Sequence, residues 1–318
     1  MLSLPSFMTS FGFCMFVPKS LAVLGLGLLS AIPAAAQTPS LPPLPDLKFA
    51  EIPPAVRANY LGDRFSYMEA GRPGAPAIVL LHGVGANSTH WRFQLAGLSD
   101  RYHVVAWNAP GYMLSDALKT DSPDCETFAN ALRDFLAAVK LDRINLVGNS
   151  FGSRVAQCFG IYYPGRIVKL AMTGTGIGPH NLSEEKKSQI IATREAQIAK
   201  GGYAFGERVN ALLPAKASPQ TIELVSNILR ATSPRGFIHG IKLGLVNGYS
   251  PEEVAGKLNF PVLMISGRED QVNPVNDNAA VLVKVLPQGK LEILEGAGHL
   301  PEVERPDIVN KMLQDFFG

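Results

Sequence analysis

Nothing in this sequence repeats at a fixed period, and it holds no block of like charges and no low-complexity tract. Solenoid arrays and charged interaction tails are thereby excluded. Charge is scarce and balanced: Asp, Glu, Lys and Arg make up 18% of the chain and leave a formal charge of +2. No basic face able to track nucleic acid or an anionic membrane surface is expected from that balance. Cysteine is rare, with 3 in 318 residues, and neither a paired Cys spacing nor an H-E-x-x-H motif offers a metal site. A dinucleotide fingerprint is incomplete, since Ser88 stands where the third glycine after Gly83 and Gly85 belongs and no acidic residue ends the next strand. No metal and no cofactor is expected. What is present is a chain that is 47% hydrophobic, enough for one large domain or two smaller ones.

The long apolar run is at the start. "KSLAVLGLGLLSAIPAAAQ" gives Lys19, an apolar stretch and then Ala34-Ala35-Ala36. A positive residue, an apolar core of about fifteen residues and an A-x-A site make a secretory signal, too short to span a membrane comfortably. Residues 1–36 are read as that signal, with Met15 as a more ordinary starting point, which puts the mature chain in the periplasm or outside the cell without a stable membrane span. Residues 37–59 are proline-rich and read as an extended linker, with order beginning near Tyr60. Cys125 and Cys158 remain in the exported part. Cys158 falls on a helix where a small thiol packs well, and the two are expected to stay separate.

From Tyr60 onward, apolar runs alternate with helical stretches. "RFSYMEAG", "AIVLLHG", "HVVAWNAPG", "INLVGNS" and "IVKLAMTG" read as strands. Thr127–Leu141 and Phe151–Tyr162 have helical spacing. Residues 178–250 contain helical segments and no strand. Then "PVLMISG", a helix over Pro274–Val285, "KLEILEG" and a helix over Glu302–Phe317 resume the alternation. The pattern predicts an α/β fold: a mostly parallel sheet flanked by helices. Its core comprises residues 60–177 and 251–318, with a helical cap of residues 178–250 inserted after the sixth strand.

Ligands of such sheets collect at the carboxyl ends of the strands. Those ends carry Ser150 after Val147, Asp270 after Ser266, and His299 after Leu294, in the chain order of a nucleophile elbow. Serine attacks a carbonyl only if a base removes its proton, imidazole can take and return that proton, and a carboxylate fixes the imidazole tautomer. Gly148 and Gly152 permit a tight strand-to-helix turn. The backbone N–H groups of Phe151 and Val84 are candidates for the oxyanion hole.

With "LLHGVGANSTHW", "VVAWNAPGYMLS", "LVGNSFGS", "LMISGREDQVNP" and "ILEGAGHLPEVERP" in this order, the sequence resembles the α/β-hydrolase fold family over about Tyr60–Gly318. The resemblance implies Ser150 as nucleophile, His299 as base, Asp270 as its partner, and Val84 and Phe151 as oxyanion donors. Asn108 and Met113 depart from the family's usual residues in their loop. Glu269, adjacent to Asp270, is a competing carboxylate. Among the other histidines, His82 and His103 read as structural, and His90 and His180 are further rivals. His239 lies on a solvated cap face or contacts substrate; Trp91 lines the pocket or packs in the core. The sequons at Asn87 and Asn181 matter only in a glycosylating host.

The expected activity is hydrolysis of a small-molecule carboxylic ester or lactone, and several stretches look similar to small esterases and enol-lactone hydrolases. "GNSFG" also looks like the elbow of enzymes that hydrolyse carbon–carbon bonds of aromatic ring-cleavage products. A non-catalytic ligand-binding member of the fold is the alternative from another class. Oligomeric state is not legible.

Overall fold

The computed structural model describes residues 41–178, 182–245 and 249–318. The signal segment 1–36, His180 and Asn181 lie outside the described residues.

Eight strands form one sheet: β1 (Lys48–Glu51), β2 (Arg64–Ala70), β3 (Ala77–Leu81), β4 (His103–Trp107), β5 (Ile144–Asn149), β6 (Ile167–Thr173), β7 (Val262–Gly267) and β8 (Gly289–Leu294). Their order is β1-β2-β4-β3-β5-β6-β7-β8. β1 and β2 pair antiparallel with each other, and β2 pairs antiparallel with β4, whereas β4 through β8 are parallel. β1 lies inside the stretch expected to be linker, so ordered structure begins before Tyr60. Lys48–Glu51 pair residue for residue with Tyr67–Arg64, and backbone pairing outweighs the proline-rich surroundings.

The continuous apolar runs mark strands buried on both faces. Successive side chains point to opposite sides. Val79, Leu81, Val105 and Leu146 accordingly fall in one cluster, and Ile78, Leu80, Val104 and Val147 in another. The first face is covered by α2 (Cys125–Ala138) and α3 (Phe151–Tyr162) through Phe128, Leu132, Val155 and Phe159. The second is covered by α1 (Arg92–Leu98), and by the C-terminal helix, through Leu95, Leu98, Val309 and Leu313. Asp124 caps α2, accepting the Thr127 N–H at 2.9 Å.

Cys125 and Cys158 form a disulfide between α2 and α3, with Cα atoms 5.2 Å apart. This corrects the expectation of two separate thiols. The two helices pack side by side, which closes a sequence separation of 33 that spacing alone leaves undetermined. Closing a loop of that length in the unfolded chain stabilises the fold by about 3 to 4 kcal/mol in the chain-entropy account.

After β6 the described residues contain helices and no strand until β7: α4 (Glu184–Ile198), α5 (Gly202–Gly206), α6 (Val209–Leu212), α7 (Pro219–Arg230), α8 (Pro234–Leu245) and α9 (Pro251–Val254). Phe205, Val209, Leu212, Leu229 and Phe237 form their own apolar cluster, which also takes in Leu300 and Val303 from the end of the chain. Arg154 of α3 ties both ends of the insertion to the core, donating to the carbonyls of Ile177 at 2.9 Å and Tyr249 at 2.7 Å.

The helix expected over Pro274–Val285 is broken. A 3-10 turn at Val275–Asp277 precedes α10 (Ala279–Leu282). Asn278 between them leaves helical geometry, and its side chain donates to the Pro274 carbonyl at 3.0 Å, so local bonding competes with the helix. The last helix is likewise two pieces, α11 (Pro301–Glu304) and α12 (Pro306–Phe317), with the break just before Pro306. No helix among the described residues is long and apolar enough to cross a membrane.

Candidate active site

Ser150 sits between β5 and α3 with φ 50° and ψ −111°. A residue with a Cβ adopts such angles only under strain, which the surroundings must maintain. The surroundings do so because glycines let them close in. A Cβ on Gly152 would lie 2.0 Å from the Leu81 carbonyl oxygen, and one on Gly148 would lie 2.4 Å from the Gly152 oxygen. A serine at a helix start ordinarily turns its hydroxyl back to cap the first turn. Here the Ser150 side chain makes no capping bond, and its hydroxyl has no hydrogen-bond partner among the described residues. Its backbone carbonyl is held by the Ser153 hydroxyl at 2.6 Å. The turn presents the hydroxyl instead of using it.

Asp270 and His299 meet behind the same cavity. His299 Nδ1 lies 2.8 Å from Asp270 Oδ2, with both side chains buried. The other Asp270 oxygen accepts the N–H groups of Val272 and Asn273, each at 2.8 Å. Burial alone would raise the Asp270 carboxyl. The His299 hydrogen bond and charge and the two backbone donors outweigh it and hold the group below its usual range. Glu269, the competing carboxylate, is exposed. Its backbone N–H bonds to the Ala297 carbonyl at 2.9 Å, and only Asp270 reaches the imidazole.

The backbone around His299 is fixed from three sides. Its N–H donates to the Leu212 carbonyl at the end of α6, 2.9 Å away. Its carbonyl accepts from Asn149 Nδ2 at 3.3 Å, and Asn149 also reaches Thr173 Oγ1 at 3.2 Å. Glu304 brackets it, accepting the N–H of Gly298 at 2.9 Å and of Leu300 at 3.0 Å. Burial pushes the Glu304 carboxyl up to about 7. Asn149 and Glu304 stood in quoted motifs, but their bonds are to backbone atoms of other segments, which no spacing reveals.

Ser150, His299 and Val84 line one cavity, roofed by Leu212, Ile228 and Leu229. The N–H groups of Val84 and Phe151 donate to no acceptor among the described residues. The cavity holds about 40 Å³ of free space, room for a water or two. Among the described residues no group of three His, Cys, Asp or Glu side chains could hold a metal ion.

His82 supports the Val84 loop. Its Nδ1 donates to the Gly83 carbonyl at 2.8 Å and its Nε2 accepts the Ala109 N–H at 3.1 Å. Burial, with a smaller push from His90, drives its pKa down to about 3 against the opposing Gly83 bond. The linkage has a definite sign. Above about pH 6.5 both states are neutral and the full stability is present; below it the unfolded chain takes a proton that the folded one refuses until pH 3. Each pH unit in that window costs about 1.4 kcal/mol. Glu304 and His239 titrate in the same window, so the test is a difference. Between pH 7.5 and pH 4.5 the parent should lose roughly 2 kcal/mol more in urea unfolding than His82→Gln, and equal pH dependences of the two proteins would contradict a buried neutral His82.

The remaining candidates fall elsewhere. Trp91 is fully buried with Leu95 and Leu98 against the sheet and is not on the cavity wall. His103 pairs with Glu69 at 2.8 Å at the start of β4. His239 is neither solvated nor on the wall: it is 2% exposed, because α8 packs against α3, and burial with Arg235 and Lys242 lowers its pKa to about 4. Asn108 bridges Ser88 N–H at 2.6 Å and Ser66 Oγ at 2.9 Å, while Met113 and the following Leu114 take left-handed angles of φ 40° and 67°. Arg208 also lines the cavity, unannounced by any motif, and so does His90 from the quoted "LLHGVGANSTHW" stretch. His90 Nε2 lies 2.6 Å from the buried Glu302.

Comparison with known proteins agrees with this architecture. Over 272 residues the chain is 27% identical to a 2-hydroxy-6-oxononadienedioate/2-hydroxy-6-oxononatrienedioate hydrolase of Dechloromonas aromatica (strain RCB), covering 82% of this chain and 93% of that protein. It is 27% identical over 280 residues to a monoacylglycerol lipase of Homo sapiens, covering 80% and 79% of the two chains. The crystal structure of the enol-lactonase from Burkholderia xenovorans LB400 superposes with a TM-score of 0.70 at 20% identity, covering 81% of this chain and 98% of that one. A profile described as the alpha/beta hydrolase fold matches residues 76–306. The chain belongs to the alpha/beta hydrolase fold family.

Proposed function

We propose that this chain is a serine hydrolase that cleaves a carboxylic ester or lactone through an acyl-enzyme on Ser150. The observation that carries the reading is the strained turn at Ser150, whose hydroxyl forgoes capping and shares a cavity with an imidazole backed by a carboxylate. In the first step the Ser150 oxygen bonds to the substrate carbonyl carbon while His299 takes its proton. The oxyanion is met by the N–H groups of Val84 and Phe151. Collapse breaks the carbon–oxygen bond to the alcohol, which leaves with the proton from His299. Water, deprotonated by His299, then releases the acid and restores Ser150.

Export through the segment 1–36 accompanies this reading, supported by the Cys125–Cys158 bond, since disulfides persist in oxidising compartments. The second reading, hydrolysis of a carbon–carbon bond, is favoured by Asn149 and Phe151 around the serine and by the name of the Dechloromonas aromatica relative.

One panel separates the readings: kcat/KM of the purified protein for aryl esters, lactones and a 2-hydroxy-6-oxodienoate. The proposal expects ester or lactone turnover at least a hundredfold above that of the dienoate. The reverse order would replace it by the second reading, and saturable binding without turnover of any of them would make the chain a ligand-binding member of the fold.

A further inference from the structure

Arg208 immediately precedes α6 and lines the cavity shared by Ser150 and His299. Arg154, which is buried, has an obvious structural use: it spends its guanidinium on the carbonyls of Ile177 and Tyr249. Arg208 does nothing comparable. Among the described residues no carboxylate pairs with it and no oxygen accepts a hydrogen bond from it. Its guanidinium lies instead over two aromatic rings, 5.1 Å from the centroid of Phe205 and 5.6 Å from that of Phe237. The groups that act on its charge are Arg194, of like sign, and the Tyr112 hydroxyl. Burial lowers its pKa only to about 10, so it is cationic at neutral pH.

Arg208 is half-buried and has no counter-ion among the described residues. Apart from Ser150, His299, His90 and Asn149, the wall it shares is apolar, with Val84, Leu212, Val225, Ile228 and Leu229, and a cation that is partly desolvated without a partner is costly to hold. Aromatic faces beside the guanidinium accept no N–H hydrogen bond of ordinary strength, and its donor fork suits a planar anion. We propose that Arg208 is the anion-recognition residue of this cavity, and that the substrate is an ester or lactone bearing a carboxylate away from the reacting carbonyl. The cavity closes around a substrate whose own charge replaces the missing counter-ion. For what is cleaved, the inference rests on the acyl-enzyme reading; for what is bound, it stands on Arg208 alone.

The test uses matched substrates. One pair puts the charge on the acyl side, 4-nitrophenyl hydrogen glutarate against 4-nitrophenyl pentanoate. The other puts it on the alcohol side, 4-acetoxybenzoate against 4-methylphenyl acetate. In at least one pair the anionic member is expected to have a kcat/KM ten or more times that of the neutral one. Arg208→Gln should reduce that ratio at least tenfold, and Arg208→Lys should retain part of it. Ester turnover with no anionic preference in either pair, or a ratio that Arg208→Gln leaves unmoved, overturns the anion site and leaves the acyl-enzyme reading standing. Calorimetric binding of glutarate to the Ser150→Ala protein, lost on adding Arg208→Gln, supports the site independently of turnover. Such binding in a protein that hydrolyses no ester or lactone sinks the acyl-enzyme reading instead.

Discussion

Replacing Ser150 by alanine lowers kcat on any ester substrate by at least about 10⁴-fold, because a chain that loses its nucleophile keeps only binding and oxyanion stabilisation. The fold should not notice. The hydroxyl makes no hydrogen bond among the described residues, so the stability of Ser150→Ala is expected within about 0.5 kcal/mol of the parent. Glycine at the same position goes further. With φ at 50° and ψ at −111°, any Cβ there is strained, and its removal relieves on the order of 1 kcal/mol. Ser150→Gly should therefore be inactive and more stable than Ser150→Ala. Chemical denaturation of the three proteins, with kinetics on one aryl ester, checks both halves. Activity within tenfold of the parent in either variant removes Ser150 from the mechanism, and a Gly variant less stable than the Ala variant removes the strain.

Asp270→Asn is the second large effect, an expected loss of about 10³ to 10⁴ in kcat with little change in fold. The amide is nearly the same shape, and its oxygen can still accept the N–H groups of Val272 and Asn273 that now hold the carboxylate at 2.8 Å. Its NH₂ then faces His299 Nδ1, which must turn from donor to acceptor. That change puts the ring proton on Nε2, where a base needs a lone pair for the serine proton. The carboxylate that stabilises the imidazolium is lost as well. Glu269→Gln is the control, since that side chain is exposed and does not reach the imidazole. Near-parental kcat for Glu269→Gln beside a collapsed Asp270→Asn is the expected pair of results, and comparable losses in both would contradict the assignment of Asp270.

Sequence made the strand ends legible because each buried strand is a continuous apolar run stopped by glycine, and the reacting groups follow directly. Ser150, Asp270 and His299 follow β5, β7 and β8, so periodicity located the strand ends, while the choice of Asp270 over the adjacent Glu269 came from the motif match. Residues that act across the fold were not legible in this way. Arg208 lies between two short helices with no apolar stripe to orient it, and its place on the wall depends on how Phe205 and Phe237 pack. Trp91 and His239 were drawn toward the site by chemistry, yet Trp91 packs with Leu95 and Leu98 and His239 is buried on α8. The disulfide depends on the adjacency of α2 and α3, a tertiary fact. Pro274–Val285 carries helical spacing, but the Asn278 side chain bonds the backbone locally and interrupts it.

The central claim is that residue 150 is an activated nucleophile, and covalent labelling tests it without knowledge of the substrate. Incubation with a fluorophosphonate followed by peptide mass spectrometry should give a single adduct, on Ser150, with labelling lost in Ser150→Ala and slowed at least a hundredfold in Asp270→Asn. Folded protein that takes up no label, or takes it up equally after Ser150→Ala, would contradict the account.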